Sequence, residues 1–219
     1  MDRITDAFVW PVRDPLWVSK VVIIGLILLI PIAGAINGIG WMLATLDLLR
    51  AGEEKLPPAN FSYLGRGIRL FLVQLLYVLA LLVVSVLIYA PAVSVFVQTG
   101  RGSSNLAELT IGLLLNLLSF SVATLGSLAL TFATPSIVLA TDRRGIAGGL
   151  RLPDVIRLAR GSLANTLIAG LMLIAANFIG SLGLIICGIG VVFTAAYSLA
   201  MQAWIIHGFE IGPSATSAA

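Results

Sequence analysis

The sequence predicts an all-α, polytopic helical membrane protein with four to six membrane segments, the first of them a broken or re-entrant N-terminal hairpin. Three observations predict it. First, 59% of the 219 residues are apolar and only 11% are charged, with a mean hydropathy of +1.06; soluble domains carry about 25% charged residues. Second, no Asp, Glu, Lys or Arg occurs in residues 21–46, 70–100, 109–141 or 161–209. A helix needs roughly 20 apolar residues to cross hydrocarbon, so each window is long enough for one crossing and the last for two. Third, stretches such as "GLILLIPIAG" and "LLYVLALLVVSVLIYA" are apolar on all sides. Strands of a membrane barrel would alternate polar and apolar residues instead.

The elements follow in order. Residues 1–20, "MDRITDAFVWPVRDPLWVSK", mix Phe8, Val9, Trp10, Leu16 and Trp17 with charges and carry Pro11 and Pro15. Tryptophan prefers headgroup level, so this is read as an interfacial segment. Asp2 and Asp6 are unlike a basic leader, and the apolar run starts only at Val21, so no cleaved signal is expected. A single transmembrane bundle is expected over 21–209, with apolar segments at about 21–49, 70–99, 109–140, 162–182 and 186–208. The first segment ends at Gly52, a helix C-cap residue, before Pro57 and Pro58. Pro91 and Pro135 each predict a kink or the end of a helix. "LRLPDVIRLARGS" interleaves leucines with Arg151, Arg157 and Arg160, as a basic helix lying on a membrane would. The turn within the last apolar stretch is expected at "GSLG", 180–183, or "CGIG", 187–190. Residues 210–219 are expected to be a disordered tail.

Cytoplasmic loops carry an excess of Lys and Arg. If residues 21–49 cross once, nine such residues lie inside and four outside; if they double back, the division is twelve against one. The sharper asymmetry predicts a helical hairpin, with both termini cytoplasmic in a prokaryotic inner membrane. Pro31, Gly34, Asn37, Gly38 and Gly40 are the candidate reversal, and "ICGIG", with Gly188 and Gly190, is its counterpart between the last two helices.

Few residues suggest chemistry. Asp47 and Arg50, three apart on one helix, read as an interfacial ion pair. His207 is the only histidine and Cys187 the only cysteine, so the usual multi-ligand metal site and an intramolecular disulfide are not expected. The phosphate-loop and dinucleotide patterns are absent, so no cofactor, no nucleic acid and no enzymatic activity are expected. Asn37, Gln74, Asn116 and Asn177 fall on different segments and are candidates for an intramembrane polar site; the alternative is that they tie helices together. Arg143, Arg144, Arg151, Arg157 and Arg160 are candidates for contact with anionic headgroups or a partner. The expected role is an accessory, scaffold or lipid-interacting membrane component, alone or in a larger complex or homo-oligomer. The alternative is a small-solute transporter or channel that uses broken helices.

"DPLWVSKVVIIGLILLIPIAGAINGIG", then "LLRAGEEKLPPA" and "GRGI", resembles a family of bacterial and archaeal polytopic membrane proteins, domain of unknown function 4013. The positions that carry the resemblance are Asp14, Pro15, Trp17, Lys20, Gly25, Ile30, Pro31, Gly38, Gly40, Leu56, Pro57 and Gly67. "CGIG" with Thr194 and Tyr197 resembles its last helix, whereas Gly40-Trp41 stands where Gly-Tyr is usual. The resemblance implies the helix plan. It implies no activity and transfers no functional residue.

Overall fold

The computed structural model describes residues 6–100, 106–185 and 190–212. Among them all regular structure is helical: α1 (Asp6–Val9), a 3-10 turn (Trp10–Arg13), α2 (Trp17–Leu28), α3 (Ala33–Arg50), α4 (Leu64–Gly100), α5 (Leu106–Leu150), α6 (Leu152–Gly161), α7 (Leu163–Ile185) and α8 (Gly190–Ile211). Among the described residues four helices are long and apolar enough to cross a membrane: Leu64–Val97, Leu106–Leu150, Leu163–Gly183 and Gly190–Ile211. The chain divides into two compact units, residues 74–130 and the remainder, which subdivide the stretch that the sequence reads as one bundle.

In the larger unit, α2 and α3 form the predicted hairpin. Gly25 packs on Val192 and Trp17 on Tyr197, so α2 runs antiparallel to α8. Gly38 packs near Leu199 and Arg50 reaches Glu210, so α3 runs parallel to α8 and opposite to α2. The arms have 12 and 18 residues, about 18 and 27 Å at 1.5 Å per residue. The shorter arm falls short of a crossing of ~30 Å.

The reversal is at residues 29–32, not at "INGIG". Asn37, Gly38 and Gly40 are helical, and Gly34 lies in the first turn of α3; of the predicted break residues in this segment, only Pro31 is in the turn. The Ala33 N–H donates to the Pro31 carbonyl at 2.6 Å, a γ-turn centred on Ile32 at φ 62°. Proline has no N–H to satisfy, which suits a turn exposed to lipid. Leu29, Ile30 and Ile32 at the tip are 56%, 47% and 67% exposed, an apolar tip facing outward. The glycines of "INGIG" serve packing instead. A Cβ on Gly40 would lie 2.1 Å from the Tyr63 carbonyl oxygen, and one on Gly38 2.6 Å from Leu28 Cδ2.

Trp10 is fully buried, stacked on Trp204 with ring centroids 5.5 Å apart, and Tyr197 Oη donates to the Phe8 carbonyl at 2.6 Å. This part of the N-terminal segment docks on α8 through these aromatic contacts. Helices α4 and α5 continue through Pro91 and Pro135 rather than ending there. Regular helical geometry in α5 breaks at Gly145 (φ 68°, ψ −163°), a conformation essentially reserved for glycine. Helix α7 continues through "GSLG" to Ile185, so that is not the turn; Gly190 starts α8, while Cys187 and Gly188 lie outside the described residues. Thr194 Oγ1 donates to the Gly180 carbonyl at 2.8 Å and Ser198 Oγ to Ala176 at 2.8 Å, so α7 and α8 pack antiparallel through small residues. Glu210 and Ile211 finish α8 and do not begin the tail.

The unit 74–130 consists of parts of α4 and α5 packed antiparallel. Ser119 Oγ donates to the Ser85 carbonyl at 2.9 Å, and Gly126 sits against Leu81. Only 6% of the most apolar window of each of these helices is buried, against 39% for α7 and α8. Their side chains therefore face outward, as lipid-facing residues do.

Candidate functional site

Three polar assemblies of the larger unit sit where the sequence resemblance is strongest or the charges cluster. The first is a clamp. Asp14, 3% exposed, accepts from Lys20 Nζ at 2.7 Å and from the backbone N–H groups of Leu16 and Leu56 at 2.8 and 2.9 Å. Lys20 Nζ also donates to the Leu56 carbonyl at 2.5 Å. Both polar groups of one loop residue are thus held by an ion pair from the N-terminal segment. Burial pushes the Asp14 carboxyl up, but the Lys20 hydrogen bond, the two backbone donors and the ammonium charge outweigh it and hold it below its ordinary value.

Asn37 does the second job. Fully buried on α3, it donates from Nδ2 to the Asn60 carbonyl at 3.0 Å and accepts from the Tyr63 N–H at 3.1 Å. It ties down the loop that feeds α4. Gly67 lets α4 approach: a Cβ there would lie 1.8 Å from the Ile36 carbonyl oxygen.

The third assembly is an ionic layer across four helices. Arg50 donates from Nε to Glu210 at 2.8 Å and from Nη1 to Asp142 at 2.7 Å and Asp47 at 3.3 Å. Arg66 bonds Asp47 and lies 3.4 Å from Asp142, and Arg143 donates to Glu210 at 2.9 Å. The sequence found only the Asp47–Arg50 pair within it. The other members lie 16–160 residues away, and only the i,i+3 spacing is visible in a linear chain. Three arginines meet three carboxylates. Asp47 and Arg143 are about half-exposed, so each such pair contributes roughly 0–1 kcal/mol; registering the helix ends is its larger effect.

Cavities border this layer. One, of about 330 Å³, is lined by Leu43, Gly65, Arg66, Arg69, Leu70, Val138, Thr141 and Asp142. Another, of about 200 Å³, brings together Arg143, Arg144 and Arg157 of the predicted headgroup set, with Asp154. Asp154 accepts from Arg144 at 2.9 Å and Arg157 at 2.6 Å and lies 3.9 Å from Arg151. Arg160 is exposed farther along α6. On α6 Val155 is buried, while Leu152 and Ile156, four apart, are 55% and 46% exposed. The helix thus shows solvent or lipid an apolar strip flanked by arginines.

The candidate intramembrane polar site is distributed differently. Asn37 is buried and engaged by the 60–63 loop; Asn177 is exposed and accepts from Gln202 Nε2 at 3.1 Å. Gln74 and Asn116 belong to the smaller unit, where Asn116 is exposed. Asn37 and Asn177 act as local ties, as polar residues of helical bundles do. His207 is in α8, its Nδ1 buried without a hydrogen-bond partner among the described residues. No group of three His, Cys, Asp or Glu side chains among the described residues is placed to hold a metal ion.

Nothing among the curated proteins or the solved structures matches the chain. A family model does, and it covers residues 23–189. With that match over more than half its length and the membrane-length helices above, the chain belongs to the family described as protein of unknown function (DUF4013).

Proposed function

We propose that this protein is a non-catalytic accessory or scaffold component of a prokaryotic cytoplasmic membrane, which engages anionic lipid at its basic end. Both termini lie on the cytoplasmic side in this reading, as the twelve-against-one division of basic residues favours. The observation that carries it is α6: an exposed Leu152–Ile156 strip beside Arg151, Arg157 and Arg160, backed by the cavity that gathers Arg143, Arg144 and Arg157. An amphipathic, arginine-edged helix of this kind lies in the headgroup layer and gains roughly 1 kcal/mol per basic residue near an anionic surface. Replacing Arg143, Arg144, Arg151, Arg157 and Arg160 by glutamine is expected to lower the anionic lipid that co-purifies, read by mass spectrometry of lipid extracts, or to disturb topology. Unchanged lipid, partners and topology would overturn the reading.

A transporter remains the second reading, because α2–α3 is a broken hairpin with an exposed apolar turn. We rank it lower because Asn37 is used up on a loop and Asn177 is exposed. Solute uptake by the purified protein in proteoliposomes would reverse that ranking.

A further inference from the structure

We propose that the 330 Å³ cavity lined by α3, α4 and α5 binds the phosphodiester of an anionic phospholipid headgroup, with Arg69 as its cation. The proposal rests on the lipid-contacting reading above and narrows it to a site separate from the α6 arginines.

The charges that border this cavity do not balance. In the ionic layer Arg50, Arg66 and Arg143 are matched by Asp47, Asp142 and Glu210. Arg69 lines the same cavity, is exposed, and has no acidic partner among the described residues. The site therefore carries one unmatched positive charge, and a phosphodiester carries one negative charge. A guanidinium offers paired donors that fit two phosphate oxygens. Asp142 also borders the cavity, but its oxygens already accept from Arg50 at 2.7 Å and Arg66 at 3.4 Å, so it does not face an incoming anion uncompensated.

The rest of the wall fits the remainder of a headgroup. Thr141 spends its O–H on the Ile137 carbonyl at 2.7 Å, which leaves its oxygen free to accept from a headgroup hydroxyl. Leu43, Leu70 and Val138 are 3%, 1% and 0% exposed and give the cavity an apolar floor. The volume is at the low end of small-ligand pockets, roughly 300–1,000 Å³, which suits a headgroup and not a whole lipid.

Location argues for a lipid over a soluble anion. Arg69 is the last charged residue before the uncharged stretch 70–100, so the cavity lies where charge gives way to hydrocarbon-compatible sequence. Leu72, one turn on, is 37% exposed and offers apolar surface to an acyl chain.

The test is thermal unfolding of the full chain in detergent with added dihexanoyl phosphatidylglycerol, dihexanoyl phosphatidylcholine or water-soluble glycerophosphoglycerol. The phosphatidylglycerol is expected to raise Tm more than the choline lipid does. Arg69→Gln should weaken that response by roughly tenfold or more, as loss of a charge-assisted contact does. Its Tm without lipid should hold, because Arg69 has no acidic partner among the described residues. Gly65→Leu is an independent steric test. Gly65 lines the cavity and a Cβ there meets nothing within 4 Å, so a larger side chain has room beside the headgroup; the lipid response should again fall. The five-arginine variant should keep the response.

Equal shifts from the two lipids, or a full response in both Arg69→Gln and Gly65→Leu, overturn the proposal. If the five-arginine variant alone loses the response, this site fails while the wider lipid reading stands. If no lipid shifts the wild-type Tm, this site also fails, and lipid co-purification then decides the wider reading. An equal shift from glycerophosphoglycerol overturns the lipid assignment, because the cavity would then serve a soluble phosphodiester.

Discussion

Asp14 shows how much one side chain organises here. It accepts three hydrogen bonds, two from backbone and one from Lys20, at a buried joint between the N-terminal segment and the 51–63 loop. Asp14→Asn would leave the ammonium of Lys20 without its counter-charge, at a cost of about 3 kcal/mol. That cost should appear as a lower Tm at neutral pH. The pH dependence has a definite sign. A carboxyl held below its ordinary value contributes stability above its unfolded pKa, about 3.9 for aspartate. It loses that contribution as pH falls through the lower folded value. The Tm gap between wild type and Asp14→Asn should therefore narrow below about pH 4; a gap independent of pH would show that the carboxylate charge is not what matters. Asp14, Lys20 and Leu56 are among the positions that carry the family resemblance, and the clamp gives a physical reason for them. Gly25, Gly38, Gly40 and Gly67 are others. Each sits where a Cβ would collide with a neighbouring segment, at 1.7 Å from the Val192 oxygen in the case of Gly25.

At the scale of elements, glycine and proline have separate tasks. Pro31 sits in the hairpin turn, and the glycines after it let α3 be approached closely. Gly52, at φ 80°, closes α3 as predicted, with its N–H on the Leu49 carbonyl and that of Glu53 on Leu48. Gly145 allows the break that separates the long part of α5 from the basic end. A Cβ there meets no neighbour, so the cost of Gly145→Ala is conformational alone, about 1–3 kcal/mol. A lower Tm and faster limited proteolysis between 144 and 161 are expected; unchanged values would mean that the break is not strained for alanine. "KLPPANFSYLGRGIRLFL" and "RLPDVIRLARGSLANTL" look alike in sequence, yet residues 56–63 are non-helical and Leu152–Gly161 is a helix. The double proline at 57–58 removes two consecutive N–H donors, whereas the single Pro153 falls in the first turn, where none is needed.

At the scale of the molecule, the hairpin brings the two ends of segment 13–54 together. Arg13 Nη1 lies 2.5 Å from Glu54 Oε2. Single cysteines in place of the exposed Val12 and Glu53, in a Cys187→Ser background, should react with a membrane-impermeant thiol reagent from the same side of the bilayer. Leu29→Cys, at the tip, should react from neither side. Labelling of positions 12 and 53 from opposite sides would show that residues 21–49 cross the membrane.

Sequence alone predicts the class and the long apolar helices, and it favours a hairpin over a single crossing at 21–49. Those features depend on composition, on uncharged length and on the side to which basic residues partition, all of which are additive along a chain. It located the turns less well. "INGIG" and "GSLG" look like breaks, because glycine suits a turn and a close helix contact equally, and only the neighbour decides between them. The ionic layer and the cavity beside Arg69 were beyond its reach for the same reason. Asp47, Arg66, Asp142 and Glu210 acquire their meaning from three-dimensional proximity, and separations of up to 160 residues leave no local spacing to read. Only the folded chain shows that Arg50, Arg66 and Arg143 meet carboxylates across the layer, while Arg69 beside it has no acidic partner among the described residues.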